Sequence, residues 1–245
     1  MNKEELIEVY KNTKEICSDF SVPVSLKYST KILPFSMFFT KSGNILVEPT
    51  DTVSALIMHG NRKTAVLNMA SSKRKGGGVE NGSIAQEECL FRCSNLFMIP
   101  DDFYPILSNE FIYTKDATFV KNVSYGTILP IDVDVITMPA INLNKNHIDN
   151  LQTKDSVENY EELMTFKIEQ ILASAIINGC DNIILGAWGC GVFKNDPKVV
   201  ANLFNKVLEN KNFRLQFENI IFAVINDKNS VSNNYQIFKD TIKTT

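Results

Sequence analysis

The chain has 245 residues, of which 44% are hydrophobic and 22% charged, and its formal net charge is −3 at pH 7. This composition is that of an ordinary globular protein, and the length fits one large α/β domain. The negative balance argues against a protein that coats nucleic acid, although backbone N–H groups could still hold an anionic ligand.

The cysteines and histidines indicate the compartment and argue against a metal site. Five cysteines without a CxxC pair predict reduced thiols in the cytosol, or in the nucleus, rather than a disulfide framework. The two histidines, His59 and His147, lie in no HxxxH or HExxH pattern, so we expect no metal and no cofactor. The first residues are charged and no apolar run approaches membrane-spanning length, so we expect neither a signal peptide nor a membrane segment.

In the first half of the chain, the pattern predicts an amphipathic helix over residues 3–17 and strands near 22–28 and 44–48. Asp51 is suited to cap a helix that reaches about residue 58 and ends at Gly60. Residues 64–69 form a short apolar run typical of a strand buried on both faces. A glycine-rich loop follows, then a helix over about 85–97.

In the second half, the pattern predicts strands at 110–113, 118–121 and 134–138, and the longest helix over 156–178, ended by Gly179. Residues 182–185 are a second buried strand, which leads into a second glycine-rich loop. Asp196 and Pro197 open a helix as cap and first residue. A strand at 219–226 and a helix at 235–243 complete the chain.

Buried strands that alternate with helices predict a three-layer α/β/α sandwich with helices on both faces of one sheet. A hairpin within 110–121 favours a mixed sheet. We expect a single domain over residues 1–245, with residues 1–60 as an N-terminal, partly helical extension packed on it.

Both glycine-rich loops follow buried strands, which is where open α/β sheets bind ligands. The second contains Gly186, Gly189 and Gly191 before a helix N-terminus, a setting suited to a phosphate or diphosphate. It fits neither the Walker nor the GxGxxG pattern, and tight packing of strand on helix explains it about equally well.

The first loop contains three consecutive glycines, Gly76 to Gly78, and leads to Gln86, Glu87 and Glu88 at a helix start. Acids are common in a first helical turn because the helix dipole favours them. Beside a ligand-binding loop, however, a bound anion and a second carboxylate would raise the pKa of a glutamate. A glutamate that keeps its proton near neutral pH can act as a general acid.

These residues resemble the GGG-x(6–8)-QEE signature of poly(ADP-ribose) glycohydrolases. Two further segments are similar to the short microbial-type branch: residues 136–142, with the sequence ITMPAIN, and residues 185–197, with the sequence LGAWGCGVFKNDP. The run 66–71, VLNMAS, stands where that branch has an LNFAS-like strand end. The similarity runs in order from about residue 60 to 210, and three collinear motifs make it specific.

The resemblance implies a macrodomain-like fold and hydrolysis of the ribose–ribose bonds of poly(ADP-ribose), with ADP-ribose as the product. Glu88 would be the acid/base, and an anionic Glu87 would orient ribose hydroxyls and stabilise the oxocarbenium-like transition state. Gln86 would support the pair. The implied substrate-binding residues are Asn68, Gly76, Gly77, Gly78, Val79, Gly189, Cys190, Gly191, Val192 and Phe193.

Alternatives with the same site are a mono-ADP-ribosyl hydrolase and a non-catalytic ADP-ribose-binding module; the latter would not need both glutamates. A nucleotide-phosphate hydrolase is disfavoured because Walker and metal-ligand patterns are missing from the sequence. The resemblance implies poly(ADP-ribose) or ADP-ribosylated proteins as partners, with no membrane and no direct DNA binding, and we expect a monomer. The basic run 73–75 departs from the family pattern; it is either a solvated loop or an added attraction for a polyanion.

Overall fold

The computed structural model describes residues 1–29, 40–61, 63–144, 159–226 and 233–244. Its helices are α1 (Lys3–Ile16), α2 (Thr52–His59), α3 (Gln86–Cys93), α4 (Tyr160–Ile177), α5 (Pro197–Leu208), α6 (Lys211–Arg214) and α7 (Asn234–Thr241). Its strands are β1 (Val24–Tyr28), β2 (Asn44–Glu48), β3 (Thr64–Asn68), β4 (Phe111–Lys121), β5 (Thr127–Thr137), β6 (Asn182–Leu185) and β7 (Asn219–Ala223).

The strands form one sheet in the order β1-β4-β5-β3-β6-β7-β2. The pairs from β5 to β2 are parallel, and β4 is antiparallel to both of its neighbours, so the sheet is mixed, as predicted. Residues 1–60, expected as an extension packed on the domain, contribute both edge strands, β1 and β2. Of the described helices, none is long and apolar enough to cross a bilayer.

Side-chain alternation along the buried strands assigns each helix to a face of the sheet. Ala65 and Leu67 of β3 pack with α4, α5 and α7, whereas Val66 packs on the opposite face with α1, α2 and α3. The protein therefore has three layers, with a hydrophobic core on each side of the sheet. The predicted α/β/α sandwich is confirmed.

The predicted strands at 110–113 and 118–121 belong to one strand, β4, so the hairpin predicted within 110–121 is wrong; β4 instead forms a hairpin with β5. A bulge between Thr114 and Ala117, with Asp116 at φ 52°, breaks the alternation that would have revealed a continuous strand. The prediction for β5 began too late, at residue 134. Pro130 lies in the part of β5 that pairs with β4 alone, where a proline is tolerated.

The predicted helix over 85–97 ends earlier, because Ser94 adopts an extended conformation and caps a short 3₁₀ turn at Asn95–Met98. Asp51 and Asp196 cap α2 and α5 as predicted, each through its carboxylate. Residues 156–158 of the long predicted helix, and His147, lie outside the described residues.

Candidate active site

The C-terminal ends of β3, β6 and β7 border a cavity of about 410 Å³. Both glycine-rich loops reach it: Gly77, Glu87 and Glu88 line one part, and Gly189, Gly191, Val192 and Phe193 line another. Ser71, which follows β3, and Val224, which follows β7, line it as well. The cavity is therefore at the edge of the sheet where open α/β folds bind ligands.

Glu88 occupies the third position of α3, and its carboxylate is held by backbone on both sides. Oε1 accepts the N–H of Gly78 at 2.8 Å, and Oε2 accepts the N–H of Ala85 at 2.9 Å. The first bond ties the glycine loop to the helix, and the second caps the helix start. The carboxylate of Glu88 is thereby fixed in orientation at the wall of the cavity.

Glu87 lies deeper, only 3% exposed, and its Oε2 accepts the N–H of Ser71 at 2.7 Å. Burial raises the pKa of Glu87 well above its usual value; hydrogen bonds from Ser71, Asn68 and Gly76 oppose the shift, and the charge of Glu88 adds to it. The raised pKa reduces the anionic fraction of Glu87, and the role expected for Glu87 stays a prediction.

Gln86 fastens α3 to the end of β3. Its Oε1 accepts the N–H of Met69 at 2.9 Å, and its Nε2 donates to the carbonyl of Leu67 at 2.8 Å and to the hydroxyl of Thr52 at 3.2 Å. The side-chain amide of Gln86 thus bonds to the backbone of β3 as a neighbouring strand would. These bonds fix the position from which Glu87 and Glu88 project. The role of Gln86 as support for the two glutamates stays a prediction.

The glycines fit where side chains would not. Gly77 has φ 58°, and a Cβ there would lie 2.6 Å from Oε1 of Glu88 and 2.9 Å from Oε2 of Glu87. At Gly76, with φ 68°, a Cβ would lie 2.7 Å from the ring of Phe91. The loop therefore packs directly on the two carboxylates and on α3 behind them.

Several of the expected substrate-binding residues lie behind the cavity wall rather than on it. Asn68 is fully buried beneath Glu87, with Nδ2 at 3.5 Å from Oε1 of Glu87 and at 3.2 Å from the hydroxyl of Thr137. Val79 is in the core, and the N–H of Gly78 is used by Glu88. Cys190 is also buried, and its N–H donates to the carbonyl of Ala187 at 3.1 Å.

The second loop is shaped by Asn195, to which the sequence analysis gave no role of its own. Asn195 is fully buried, and its Nδ2 donates to the carbonyls of Ile141 at 2.8 Å and Gly189 at 3.0 Å. The hydroxyl of Tyr160 donates to Asn195 Oδ1 at 2.6 Å. These contacts join segments distant in sequence, so no local signal could have revealed them.

The cavity is also lined by residues that the sequence did not suggest. They come from the start of α2, the tip of the β4–β5 hairpin, the end of β7 and the start of α7: Asp51, Thr52, Val53, Val123, Tyr125, Val224, Ile225 and Asn234. Val224 and Ile225 follow β7. The rule that open α/β sheets bind ligands at the C-terminal ends of their strands, which identified the glycine loops, could therefore have identified these two residues from the sequence.

The family model described as "Microbial-type PARG, catalytic domain" matches residues 9–124. Residues 9–124 are thus similar to the catalytic domain of microbial-type poly(ADP-ribose) glycohydrolases. The resemblance inferred from the sequence motifs is confirmed, and with it the predicted class of enzyme, a glycosidase that acts on ADP-ribose polymers. No curated protein sequence matches the chain.

Solved structures of poly(ADP-ribose) glycohydrolases share the fold over nearly the whole chain. The enzyme from Thermomonospora curvata is 24% identical with a TM-score of 0.78, and the match covers 98% of this chain and 100% of that one. The same enzyme bound to the inhibitor ADP-HPD matches at 24% identity and a TM-score of 0.76, over 97% and 99% of the two chains. The enzyme from Deinococcus radiodurans in complex with ADP-ribose matches at 25% identity and a TM-score of 0.68, over 98% and 90%.

Proposed function

We propose that this chain is a poly(ADP-ribose) glycohydrolase that releases ADP-ribose by hydrolysing the ribose–ribose bond, with Glu88 as the acid/base. The observation that carries the proposal is the pair of adjacent buried glutamates, held by the N–H groups of Gly78, Ala85 and Ser71, at the wall of one cavity. The loop Gly189–Phe193 lines the same cavity and is suited to the diphosphate.

The reaction needs one proton donor and one water. Glu88 protonates the departing ribose oxygen as the glycosidic bond breaks and an oxocarbenium-like ribose forms. Water attacks that carbon, and the Glu88 carboxylate takes the proton that the water gives up, which restores the starting state. Two fixed backbone N–H bonds orient the Glu88 carboxylate, so little reorganisation is required during the reaction.

Glu87 has the second role, because its environment differs from that of Glu88. Burial raises its pKa, so that it holds a proton more readily than an exposed glutamate does. We assign to Glu87 the hydrogen bonds to ribose hydroxyls, and to Asn68 and Ser71 the task of holding Glu87 in place. The developing positive charge is then stabilised by the substrate's diphosphate and by the remaining anionic fraction of Glu87.

The partners and the setting follow the same proposal. The substrates are poly(ADP-ribose) or ADP-ribosylated proteins, and the protein works as a monomer in the cytosol or nucleus without a metal or cofactor. All five cysteines are free thiols, which fits a reducing compartment.

The substrate class is tested by incubating the protein with poly(ADP-ribose) and, separately, with a mono-ADP-ribosylated protein, and quantifying free ADP-ribose by chromatography. The proposal predicts release of ADP-ribose from the polymer. Release from the mono-ADP-ribosylated protein alone would make the chain a mono-ADP-ribosyl hydrolase. Binding of ADP-ribose by calorimetry with no turnover of either substrate would make it a non-catalytic binding module.

A further inference from the structure

Cys89 differs from the other four cysteines in its access to solvent. Cys17, Cys93, Cys180 and Cys190 are buried, whereas Cys89 is partly exposed. Cys89 directly follows Glu88 on α3 and lines the same cavity. A reagent that enters the cavity can therefore reach this thiol while the rest of the fold shields the other four.

The surroundings of Cys89 favour a thiolate. Its pKa is lowered chiefly by the neighbouring thiol of Cys93, and further by the charge of Arg92 and the hydroxyl of Tyr125. Burial and the charge of Asp51 oppose these effects. The thiolate is the nucleophilic form of cysteine, and reactive thiols are typically partly exposed in electropositive surroundings.

Arg92 provides independent support, because its charge is not fully satisfied by neighbours. Its Nε donates to the carbonyl of Leu6 at 3.2 Å, and its Nη2 donates to the carbonyl of Ser83. Its Nη1 is buried and has no hydrogen-bond partner within the described ranges, although Arg92 lines the cavity. The positive charge of Arg92, which lies three residues after Cys89 on α3, stabilises a negative sulfur at Cys89.

We propose that Cys89 is a modification site that undergoes thiol–disulfide exchange with small disulfides. The Cys89 proton leaves to solvent, and the sulfur attacks one sulfur of the reagent. The bond between the two reagent sulfurs breaks, a new Cys89–sulfur bond forms, and the second reagent sulfur departs as a thiolate. No net oxidant beyond the disulfide itself is required, and a thiol reductant reverses the step.

The exchange stops at the mixed disulfide, because Cys93 is badly placed to complete an internal bond. Residues four apart on a helix have Cβ atoms about 5–6 Å apart, whereas a disulfide needs roughly 3.5–4.5 Å. Closing that distance would distort α3. Cys93 is also buried, with Sγ 3.4 Å from the carbonyl of Asn122.

A group attached to Cys89 would occupy the cavity beside the Glu88 carboxylate. It would exclude the ribose and the attacking water, so modification would switch the enzyme off until a reductant removes the group. This consequence rests on the proposed function, whereas the reactivity of Cys89 does not.

The reactivity is tested with 2-hydroxyethyl disulfide, which is small and neutral. The reduced, folded protein is treated with it, and adducts are counted and located by intact-mass and peptide mass spectrometry. We expect one adduct, on Cys89, and labelling of all five cysteines in denaturant, which shows that the reagent reacts with each thiol. Absence of an adduct on folded protein, or equal labelling of buried cysteines, would overturn the proposal.

Matched variants test what Cys89 and Cys93 each contribute to the labelling. Cys89→Ser, or Cys89→Ala if the first does not fold, should remain unlabelled when folded. Cys93→Ala should still be labelled at Cys89 but more slowly, because the thiol that lowers the Cys89 pKa most is lost. An unchanged rate would show that Cys93 does not affect the reactivity of Cys89. ADP-ribose at ten times its Kd should slow labelling about tenfold, since labelling needs an empty cavity.

The effect of Cys89 labelling on catalysis is measured separately, as turnover of poly(ADP-ribose). Wild-type turnover of poly(ADP-ribose) should fall in step with the labelled fraction and return with dithiothreitol, whereas Cys89→Ser should turn over equally well before and after treatment. Labelling of Cys89 without loss of wild-type turnover would refute the switch while leaving the glycohydrolase assignment intact. Clean labelling in a protein with no turnover would instead count against the proposed function alone.

Discussion

Glu87 and Glu88 are neighbours in sequence but occupy different environments. Glu88 is bound by two backbone N–H groups from the glycine loop and the helix start. Glu87 lies deeper in the cavity wall, and its carboxylate contacts Asn68 and Ser71. Successive residues on a helix point in directions about 100° apart, so adjacent carboxylates can reach different partners. The division of roles between acid/base and sugar-binding group follows from this geometry.

The raised pKa of Glu87 predicts a pH-dependent cost in stability. A carboxyl group whose pKa is higher in the folded than in the unfolded protein stabilises the fold at low pH, and this contribution is lost as pH rises through the folded-state pKa. Glu87→Gln removes the ionisation while its amide oxygen can still accept the Ser71 N–H. The difference in unfolding free energy, variant minus wild type, should therefore increase between pH 5 and pH 8.

Urea unfolding at the two pH values measures this difference. Glu209→Gln is the control: Glu209 lies at the surface with its carboxylate paired to Lys243, so its substitution should change the free energy of unfolding by no more than about 0.5 kcal/mol at either pH. A Glu87→Gln difference that stays constant or shrinks as pH rises would show that Glu87 is not held in a raised-pKa environment.

The sequence predicted the individual catalytic candidates but not the residues that shape the rest of the cavity. Gln86, Glu87 and Glu88 are consecutive, so a short motif was enough to identify them. Asn195 and Tyr125 act through contacts with residues far away in the chain, which no local pattern records. The burial of Asn68 and Val79 also depends on how α3 and the glycine loop close over them.

The glycine loop and α3 act as a unit, because the loop's backbone binds the helix's carboxylates. Gly77 is the closest point: its φ is 58°, and it leaves no space for a Cβ beside Glu87 and Glu88. Gln86 anchors the same helix to β3. A change at the loop should therefore displace the carboxylates even when the rest of the fold is intact.

Gly77→Ala tests this coupling, with Gly179→Ala as its matched control. Gly179 has φ 77° and no atom within 4 Å of a Cβ, so the two substitutions share the backbone strain but not the contact. Both should lower the unfolding free energy by about 1–2 kcal/mol from left-handed strain. Only Gly77→Ala should lower kcat, on the order of a hundredfold, because it displaces catalytic groups.

Steady-state kinetics on poly(ADP-ribose), together with urea unfolding, separate the two effects. Equal losses of activity in both variants would mean that strain alone accounts for the result and that Gly77 has no special relation to the glutamates.

The sequence predicted most elements correctly as helix or strand, but it predicted their first and last residues less well. The buried strands β3 and β6 and the caps Asp51 and Asp196 follow from local patterns. The continuity of β4 across its bulge and the early end of α3 at Ser94 depend on pairing and packing instead. The assignment of helices to the two faces required the sheet order, which the sequence does not encode locally.

The N-terminal segment is bound into the rest of the molecule. The Nζ of Lys121 on β4 donates to the Val9 carbonyl at 3.0 Å and to the Thr13 hydroxyl at 2.9 Å, and Arg92 reaches the Leu6 carbonyl. Strands β1 and β2 pair at opposite edges of the sheet. We therefore propose that residues 1–245 form one cooperative domain.

This proposal predicts a single unfolding transition. The chain has one tryptophan, Trp188, which is fully buried in the second glycine-rich loop and donates to the Met138 carbonyl at 2.9 Å. Its fluorescence reports on the site, and far-ultraviolet circular dichroism reports on all helices and strands. In urea the two signals should share one midpoint. Separate midpoints would indicate that the site region and the remainder unfold independently.

We propose that Glu88 transfers the proton in hydrolysis of poly(ADP-ribose). The most direct test of this proposal is the rate of ADP-ribose release from the polymer by wild type and by Glu88→Gln, each characterised for ADP-ribose binding. Glu88→Gln should lose activity by about 10²–10⁴-fold and keep the wild-type Kd for ADP-ribose to within about tenfold, since at most one hydrogen bond is lost. Turnover by Glu88→Gln at the wild-type rate would contradict the account.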